Sequence, residues 1–525
     1  MKIVYMKNSA EKPQKGITVA MTGTSGNMGR EALTQTLEGD YVGKVKLLLT
    51  EKPKNTVYAR KLKKKYGSRV QIVRGSIADG ELCEKLVFGA DLIINMAAVI
   101  PPKSDRFEEK SLECNLIGAQ KLTDAIKKVA PESVFVHISS VAVYGNRDMK
   151  HPYGRVGDPL IPSPFDNYAL HKTLAERYVM ESGLKRWCVI RQTAMLHPNM
   201  LKNNIKDGLM FHTTLNGPLE WVSARDSGRL MANIARAVAE NRAEAIFRRV
   251  FNLCGGRENR VTGYETFKEG FSIINGTPEK FLEPSWHATR NFHGMWFFDD
   301  ELETLFPYER DTTKSYWREI KEKHPFYGAA KIIPPSVIKT LVFKPLLRDK
   351  NAPMYWRKKN QVGKVHAYFG WESEAAKIPD DWREFSLAAK QPDYEEKKEI
   401  GYAVKNGLLL SHGYDENKPM SEWDIEDMKK AAAFRGGKCL SENMVKGDAY
   451  TKLLWECHDG HKFYAAPYTV LKGGHWCEEC EKTWNYARQA KFSPFIAQVW
   501  YDTHSEEENG VYVYGENHAP IYKEI

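Results

Sequence analysis

The sequence contains no apolar run of about 18 to 20 residues, the length that a membrane-spanning helix requires. Its start, residues 1–7, is too short and too polar for a secretory signal. Internal repeats and low-complexity tracts are also missing, and their absence excludes solenoid and fibrous proteins. Together these absences predict a globular, cytoplasmic protein with no transmembrane segment.

Cysteine is scarce, with eight among 525 residues. Four cysteines are scattered over the first half of the chain and are predicted to be buried and reduced. The other four lie between residues 439 and 480, where their spacing suits a metal. In a reducing compartment such spacing favours a metal site over disulfide bonds.

The length and the charge limit the class of protein. A chain of 525 residues exceeds what one hydrophobic core supports, so two or more domains are expected. The net charge of +10 would attract phosphates, acidic lipid or nucleic acid. An equally open alternative is that the lysines, which are spread along the chain, form solvated helix faces.

Short apolar runs separated by helix-like segments predict six strands, at residues 17–21, 45–49, 70–73, 92–95, 134–138 and 187–190. Strands that alternate with helices predict an α/β fold, a Rossmann doubly wound parallel sheet with helices on both faces. The pattern loosens after about residue 195 and indicates a smaller substrate lobe.

These changes of pattern predict five parts of the chain. We expect an N-terminal extension, a Rossmann core, a substrate lobe, a linker or extension that packs on the preceding domain, and a small zinc-binding module. Their predicted ranges are residues 1–15, 16–195, 196–330, 331–420 and 421–525.

The segment at 22–29, Thr-Gly-Thr-Ser-Gly-Asn-Met-Gly, follows the first predicted strand and opens a helix. Its three glycines let the backbone turn tightly and approach a pyrophosphate. The N-terminus of the following helix offers free N–H groups to the negative charge. In this context the segment predicts dinucleotide binding by Gly23, Thr24, Ser25, Gly26, Asn27, Met28 and Gly29.

The residue that closes the second strand usually distinguishes NAD from NADP. Here that residue is Thr50, followed by Glu51 and Lys52. Glu51 would bind the ribose of NAD, whereas Thr50 and Lys52, with further cations nearby, suit a 2′-phosphate better. We therefore expect NADP or NAD as the cofactor, with NADP preferred.

Tyr168 and Lys172 lie four residues apart, on one face of a predicted helix. A free phenol has a pKa of about 10, and a neighbouring ammonium would lower the pKa of Tyr168 enough for proton exchange with a substrate. Ser140, just after the strand at 134–138, would hold the substrate oxygen. The predicted catalytic residues are therefore Ser140, Tyr168 and Lys172.

Four segments together resemble the extended branch of the short-chain dehydrogenase/reductase family, which contains nucleotide-sugar epimerases, dehydratases and hydroxysteroid dehydrogenases. They are the glycine turn, Asn-Met-Ala-Ala at 95–98, Ser-Ser-Val-Ala-Val-Tyr-Gly at 139–145 and Tyr-Ala-Leu-His-Lys at 168–172. The resemblance covers residues 16–325 and implies the same three catalytic residues. It also implies that the cofactor is bound by Ser76, Ile77, Asn95, Ala97, Ala98, Tyr168, Lys172 and Arg191.

Departures from the family pattern narrow the predicted reaction. Ser140 is followed by Val-Ala rather than by the acidic pair of the dehydratases, which argues against loss of water. No arginine that would bind a diphosphate stands at 216–220, which argues mildly against an activated sugar. An apolar substrate wall, or alternatively an aromatic core, is predicted from Trp286, His287, Phe292, His293, Trp296, Phe297 and Phe298.

We therefore expect an NAD(P)-dependent oxidoreductase that interconverts an alcohol and a ketone on a hydrophobic small molecule. Members of the family often dimerise, so the resemblance implies a homodimer. Two alternatives stay open: an NAD-dependent epimerase of a nucleotide sugar, and a nonenzymatic dinucleotide-sensing protein that binds its partner through the zinc module.

Two pairs of metal-ligand residues stand near the end of the sequence, Cys457 with His461 and Cys477 with Cys480. This spacing predicts a small ribbon folded around a structural, tetrahedral Zn²⁺ and resembles zinc-ribbon or treble-clef modules. Cys439 is the chief rival to His461 as a ligand. Nucleic-acid binding by the module is an alternative role, because lysines alternate there with aromatic residues.

Two further features allow alternatives. The apolar segment at 332–348 carries cations and would either pack against the substrate lobe or rest on a membrane surface. Its prolines are expected to exclude one continuous helix. Asp502 and His504 predict either a surface strand or a second metal or substrate site.

Overall fold

The computed structural model describes residues 16–198, 200, 207–298, 300–388, 404–405, 407–514 and 520–524. Within these residues no helix is both long enough and apolar enough to cross a bilayer. The predicted N-terminal extension, residues 1–15, lies outside the described part of the chain.

The strands of the described residues, numbered in chain order, are β1 (Ile17–Thr22), β2 (Val42–Leu49), β3 (Val70–Arg74), β4 (Leu92–Asn95), β5 (Val134–Ser140), β6 (Tyr153–Gly154), β7 (Trp187–Gln192), β8 (Ala194–Leu196), β9 (Pro218–Ser223), β10 (Arg249–Leu253), β11 (Arg260–Thr262), β12 (Trp296–Phe297), β13 (Lys438–Cys439), β14 (Leu453–Glu456), β15 (Lys462–Ala465), β16 (Gly510–Tyr514) and β17 (Pro520–Glu524).

The α-helices are α1 (Asn27–Glu38), α2 (Pro53–Tyr66), α3 (Gly80–Val87), α4 (Lys103–Arg106), α5 (Glu108–Leu112), α6 (Gly118–Val129), α7 (Asn167–Met180), α8 (Ala224–Ala239), α9 (Gly263–Phe271), α10 (Pro278–Phe281), α11 (Glu301–Leu305), α12 (Thr313–Lys323), α13 (Pro335–Ile338), α14 (Lys344–Leu346), α15 (Pro353–Lys358), α16 (Val362–Phe369), α17 (Glu372–Ala375), α18 (Ile425–Phe434), α19 (Pro467–Leu471), α20 (Glu478–Glu481), α21 (Tyr486–Phe492) and α22 (Pro494–Trp500).

The central sheet has seven strands in the order β10-β7-β5-β4-β1-β2-β3, and every neighbouring pair is parallel. All six strands predicted from the sequence belong to it, so the predicted Rossmann fold is confirmed. The strand order reverses between β1 and β4. In open α/β sheets the crevice outside the carboxyl ends of two such strands is the usual place of a ligand.

Both faces of this sheet are buried, because side chains alternate between two hydrophobic cores. In β5, for example, Val134 and Val136 belong to the core under α1 and α8, whereas Phe135 between them belongs to the opposite core. Alternation with period two places successive side chains on opposite faces of a strand. The apolar runs in the sequence are continuous because neither face is exposed to water.

The C-terminal module packs on the core that contains Phe135. Its three-stranded sheet, β13-β14-β15, and the helices α18 and α19 contribute side chains to the core that also contains Phe135 and Trp187. The Val250 N–H of the edge strand β10 donates a hydrogen bond of 2.9 Å to the Tyr468 hydroxyl of α19. The module therefore covers part of one sheet face and satisfies a backbone group at the sheet edge.

The proline-rich extension differs from its prediction. Residues 335–346 form a continuous helical run, because a π-helical turn, Lys339–Phe343, joins α13 to α14. Pro335 takes the first helical position of α13, where proline is tolerated, and Pro345 takes the second position of α14, two residues after the π turn. The expectation that prolines exclude one continuous helix is therefore wrong.

This helical run packs on the lobe on one side and faces outward on the other. Phe343 and Leu346 join a core with Phe271, while Leu341 is 71% exposed. Packing against the lobe is thus observed, and the membrane contact stays a prediction for the outward side.

Candidate functional site

The glycine turn lies between β1 and α1, at the switch point of the sheet. Gly23 has a φ of +70°, and a Cβ there would lie 2.4 Å from the Met96 carbonyl oxygen. A Cβ on Gly29 would lie 2.4 Å from the Gly23 carbonyl oxygen. Gly26 caps α1 without any side-chain hydrogen bond to the first N–H groups of that helix. The turn therefore forms the close-packed cradle that a pyrophosphate fits.

Thr22 connects this turn to the end of β4. Its hydroxyl donates to the Asn95 side-chain oxygen at 2.6 Å and accepts from the N–H groups of Met96 and Ala97, each at 3.1 Å. Asn115, which the sequence analysis did not identify, holds the next residue of this loop: its amide exchanges two hydrogen bonds with the backbone of Val99, at 2.8 and 2.9 Å. The loop after β4 is thus fixed beside the glycine turn.

A cavity of about 460 Å³ begins at the glycine turn and continues across the carboxyl ends of β4, β5 and β7. All three predicted catalytic residues line it. So do several of the predicted cofactor residues, namely Gly23, Gly26, Asn27, Met28, Gly29 and Ala98. The fold therefore brings together segments that are up to 149 positions apart, from Gly23 to Lys172.

Ser140, Tyr168 and Lys172 are placed by β5 and α7. Asp166 caps α7 by accepting a hydrogen bond from the Ala169 N–H at 2.9 Å, so that the helix begins one residue before Tyr168. Ser140 ends β5 and hydrogen-bonds the Tyr168 hydroxyl. The Lys172 Nζ donates to the Ile138 carbonyl oxygen at 2.8 Å and lies 5.9 Å from the centre of the Tyr168 ring.

The pKa values differ from those expected from the sequence. Burial raises the pKa of Tyr168 to about 12, although the hydrogen bond from Ser140 opposes the rise. Lys172 does not lower it here, since its ammonium is directed to the Ile138 carbonyl. Burial lowers the pKa of Lys172 itself to about 8, against the opposing charges of Cys114 and Glu176. The acidification of Tyr168 that the sequence predicts is therefore not found.

Several predicted cofactor residues do not line the cavity. Arg191 is fully buried in an ion pair with Glu176, and this pairing contradicts its predicted place beside the cofactor. Ser76 donates to the Glu113 carboxylate at 3.1 Å, and Ile77 packs into the core. The other predicted cofactor residues that do not line the cavity are Thr24, Ser25, Thr50, Lys52, Asn95 and Ala97.

Thr50 and Lys52 are exposed and follow β2 directly. The Asn55 side chain donates to the Thr50 hydroxyl at 2.7 Å, and Lys52 is the N-cap residue of α2. Their position at the carboxyl end of β2 is the one predicted from the sequence.

The predicted aromatic wall divides into two groups. Phe292 and His293 line the cavity, and the His293 ring lies 3.1 Å from the Asp166 carboxylate. The other aromatic residues do not line it, and the indole N–H of Trp296, for instance, donates to a backbone carbonyl at 3.0 Å in a buried position. Those that do not line the cavity are Trp286, His287, Trp296, Phe297 and Phe298.

The far wall of the cavity comes from residues that the sequence analysis missed. The extension contributes Asn351, Trp356, Lys364 and Tyr368, and no motif marks them. The Lys364 ammonium lies 5.2 Å from the centre of the Trp356 ring. Asp105 faces the same space, and burial followed by the charge of Asp166 raises its pKa to about 7. This end of the cavity is therefore polar as well as aromatic.

The four predicted metal ligands form one cluster, in which the ligand atoms lie within 4.8 Å of one another. The His461 Nδ1 is 3.5, 3.6 and 3.7 Å from the three sulfurs, and the Cys457 and Cys480 sulfurs are 3.8 Å apart. Zinc bonds of about 2.3 Å to sulfur and 2.0 Å to nitrogen in a tetrahedron require separations of about 3.8 and 3.5 Å. The cluster fits tetrahedral zinc.

Cys439 is not part of this cluster. It lies on β13, opposite Trp455 of β14, so the rival ligand assignment is not supported. Asp502 and His504 also separate: Asp502 contacts His151 at 2.6 Å, while His504 stacks on Trp500. They do not form a second metal site together.

Comparison with known proteins agrees with this architecture. Residues 19–199 match the model of the NAD dependent epimerase/dehydratase family. The matched range contains Ser140, Tyr168 and Lys172 and ends well before the cysteine module.

Individual relatives are distant. Over 195 residues the chain is 23% identical to the GDP-6-deoxy-D-mannose reductase of Pseudomonas aeruginosa, covering 33% of this chain and 60% of the reductase. A 3 beta-hydroxysteroid dehydrogenase/Delta 5-->4-isomerase of Mycobacterium tuberculosis is 24% identical over 174 residues, 31% of this chain and 45% of that enzyme. The chain thus spans less than two thirds of either relative.

Among solved structures, the chain is similar to dTDP-glucose 4,6-dehydratase from Bacillus anthracis in complex with NAD. It superposes with a TM-score of 0.47 at 17% sequence identity, covering 60% of this chain and 98% of the dehydratase.

Proposed function

We propose that this chain is a nicotinamide-dinucleotide-dependent oxidoreductase that interconverts an alcohol and a ketone. The observation that carries the proposal is the single cavity at the sheet's switch point, lined by the glycine turn and by Ser140, Tyr168 and Lys172. The match of residues 19–199 to an NAD-dependent family supports the same chemistry.

The chain's own residues divide the work among binding, positioning and proton transfer. The glycine turn and the uncapped start of α1 would hold the pyrophosphate. When bound, the nicotinamide would supply or accept the hydride. The Ser140 hydroxyl, directed at Tyr168, would hold the substrate oxygen, and the Tyr168 hydroxyl would exchange its proton with that oxygen. The buried Lys172 ammonium would stabilise negative charge in this region.

The polar far wall bears on the substrate class. The hydrophobic alcohol or ketone expected from the sequence has aromatic contacts available at Phe292 and Trp356. The same cavity also presents the carboxyl group of Asp105 and the ammonium of Lys364, and a wholly apolar substrate would remove water from these two polar groups without replacing its hydrogen bonds. We therefore propose a substrate with an apolar part and at least one polar group besides the reacting oxygen.

The residues after β2 and the cysteine cluster support a choice of cofactor and of metal. NADP stays our preference over NAD, because the exposed cation Lys52 stands with Thr50 just after the end of β2. For the cysteine cluster we propose a structural Zn²⁺, since four protein ligands leave no open position for a substrate.

The alternatives remain distinguishable. An epimerase would retain its cofactor and show no net redox change, and a dinucleotide-sensing protein would bind a partner without turnover. Nucleic-acid binding by the module is a further prediction. The homodimer that the family resemblance implies stays a prediction.

The proposed function is tested by the substitution Tyr168→Phe, with Tyr178→Phe on the same helix as the matched control. We expect Tyr168→Phe to lower turnover by about 10²- to 10⁴-fold, because proton transfer is lost, while NADH and NADPH still bind. Turnover is followed by nicotinamide absorbance on a panel of alcohols and ketones with added polar groups. Equal turnover in Tyr168→Phe and in the wild type would contradict the proposal.

A further inference from the structure

A chain of buried ionic contacts connects the helix of Tyr168 and Lys172 to the cysteine module. Arg191 of β7 pairs with Glu176 of α7 at 2.5 Å, and the His475 Nε2 lies 3.1 Å from the same Glu176 carboxylate. The His475 Nδ1 lies 3.2 Å from Glu481, which also accepts a hydrogen bond of 2.9 Å from Arg177. These five side chains are between 0 and 8% exposed.

Backbone groups complete this network. The Trp476 N–H donates to the Glu481 carboxylate at 2.6 Å, and the Trp476 carbonyl accepts from Arg177 at 2.9 Å. Arg191 donates to the Gly473 carbonyl at 2.6 Å. Buried ionic groups are costly unless every partner is held in place. The network therefore requires the segment 473–481 to keep one fixed position against α7.

The metal ligands bracket this segment. His475 stands two residues before Cys477, and Glu481 follows Cys480 directly. Cys477 is also the N-cap residue of α20, the short helix that ends with Glu481. A metal ion that binds both cysteines would fix the two side chains that contact α7.

The ionic network reaches Lys172, in the proposed active site, through one turn of α7. Glu176 follows Lys172 by four residues on α7, and both side chains are almost fully buried. Residues four apart lie on the same face of a helix. A displacement of Glu176 would therefore move Lys172 relative to the Ile138 carbonyl and the cavity.

We propose that metal binding by Cys457, His461, Cys477 and Cys480 positions Lys172, with His475 and Glu481 as the positioning residues. The module then acts as a brace of the dehydrogenase-like domain. This inference rests on the proposed function only for the role of Lys172; the mechanical connection between module and helix is independent of it.

The first test removes one ligand from the full-length protein. Cys480→Ser is compared with Cys439→Ser, which changes a cysteine of the same module outside the cluster. We expect Cys480→Ser to lose zinc, measured by elemental analysis, and the amides of residues 167–180 to exchange with deuterium about tenfold faster, since local opening becomes easier. Cys439→Ser should retain zinc and normal exchange. Loss of zinc with unchanged exchange in α7 would overturn the proposal.

A second variant keeps all four ligands, in case Cys480→Ser does not fold. His475→Gln should retain zinc, yet increase exchange in α7 and weaken NADH or NADPH binding about tenfold, as expected for a misplaced Lys172. It should also shift the alkaline midpoint of cofactor binding, which a general loss of stability would leave in place. Unchanged affinity and midpoint would refute the positioning role. If the wild type binds neither cofactor, the proposed function fails, while the exchange of α7 still tests the brace.

Discussion

Lys172 is expected to reduce the stability of the protein while it serves the proposed reaction. Lys172 is 2% exposed, and its ammonium donates a hydrogen bond of 2.8 Å to the Ile138 carbonyl oxygen. Burial lowers its pKa from the ordinary 10.5 to about 8. Replacement by Met, which has a similar length and no charge, should therefore stabilise the folded state near neutral pH and abolish the lysine's function.

The size of this effect follows from the pKa. At pH 7 the lowering from 10.5 to about 8 corresponds to about 3 kcal/mol against the charged form, because each unit is worth about 1.4 kcal/mol. Loss of the hydrogen bond to Ile138 would offset about 1 kcal/mol or more of this gain. We therefore expect Lys172→Met to raise the free energy of unfolding by about 1 to 2 kcal/mol at pH 7.

The pH dependence of stability distinguishes the cost of the buried Lys172 charge from the loss of its hydrogen bond to Ile138. The folded state releases the Lys172 proton near pH 8 and the unfolded state near pH 10.5, so wild-type stability rises with pH in this window. By pH 10 the penalty of the charge has fallen to about 1 kcal/mol. The cost of the lost hydrogen bond stays similar, so Lys172→Met should lose its advantage at pH 10.

Urea unfolding at pH 7 and pH 10 measures this difference directly. Wild type and Lys172→Met are compared at each pH, so that other titrating groups cancel, and Lys61→Met on the exposed face of α2 serves as the control. We expect the difference in unfolding free energy between Lys172→Met and the wild type to fall by about 2 to 3 kcal/mol across this range. A difference that does not change with pH would refute the reasoning.

The remaining predictions concern the glycine turn and Asp105. Gly23→Ala should weaken NADH binding and lower the free energy of unfolding by more than the cost of about 1 to 2 kcal/mol for a left-handed alanine, because its Cβ would meet the Met96 carbonyl. The control is Gly89→Ala, since Gly89 has a similar φ of +67° with open space around it. Equal losses of NADH affinity and of unfolding free energy in the two variants, measured by fluorescence titration and by unfolding, would disprove the close approach. Asp105→Asn should stabilise the protein more at pH 8 than at pH 5. The folded wild type keeps the Asp105 proton up to about pH 7, so the wild type loses stability as the pH rises toward that value. Equal shifts of the unfolding temperature at both pH values would contradict this prediction.

The parts of the site that the sequence predicted are those that local chemistry determines. The glycine turn is recognisable because the backbone at Gly23 has a positive φ that other residues rarely adopt. The strands of the central sheet are recognisable because both faces are buried and their apolar runs are continuous. Ser140, Tyr168 and Lys172, which line the cavity, are marked in the sequence by a strand end and by helical spacing.

The parts that were missed or misplaced depend on contacts between distant segments. Arg191 lies at the end of β7, where a cofactor contact was expected, but a carboxylate one turn beyond Lys172 pairs with it. Lys364 and Tyr368 enter the cavity from a helix almost 200 residues after Tyr168. Neither the charge pairing nor the approach of the extension has a periodic signal, so only the folded chain reveals them.

The cysteine module also combines a feature that the local sequence predicts with contacts that only the folded chain reveals. The spacing of Cys477 and Cys480 is a local property of the sequence, and the four residues predicted from such spacing do lie together in the structure. What the module contacts depends on Glu481 and His475, which in the sequence are only an acidic residue and a histidine beside two ligands. Their partners, Arg177 and Glu176, lie about 300 positions earlier. The proposed metal site, which its spacing alone would define as an appended domain, is therefore joined to the proposed catalytic helix by buried charges, and loss of the metal is expected to displace Lys172.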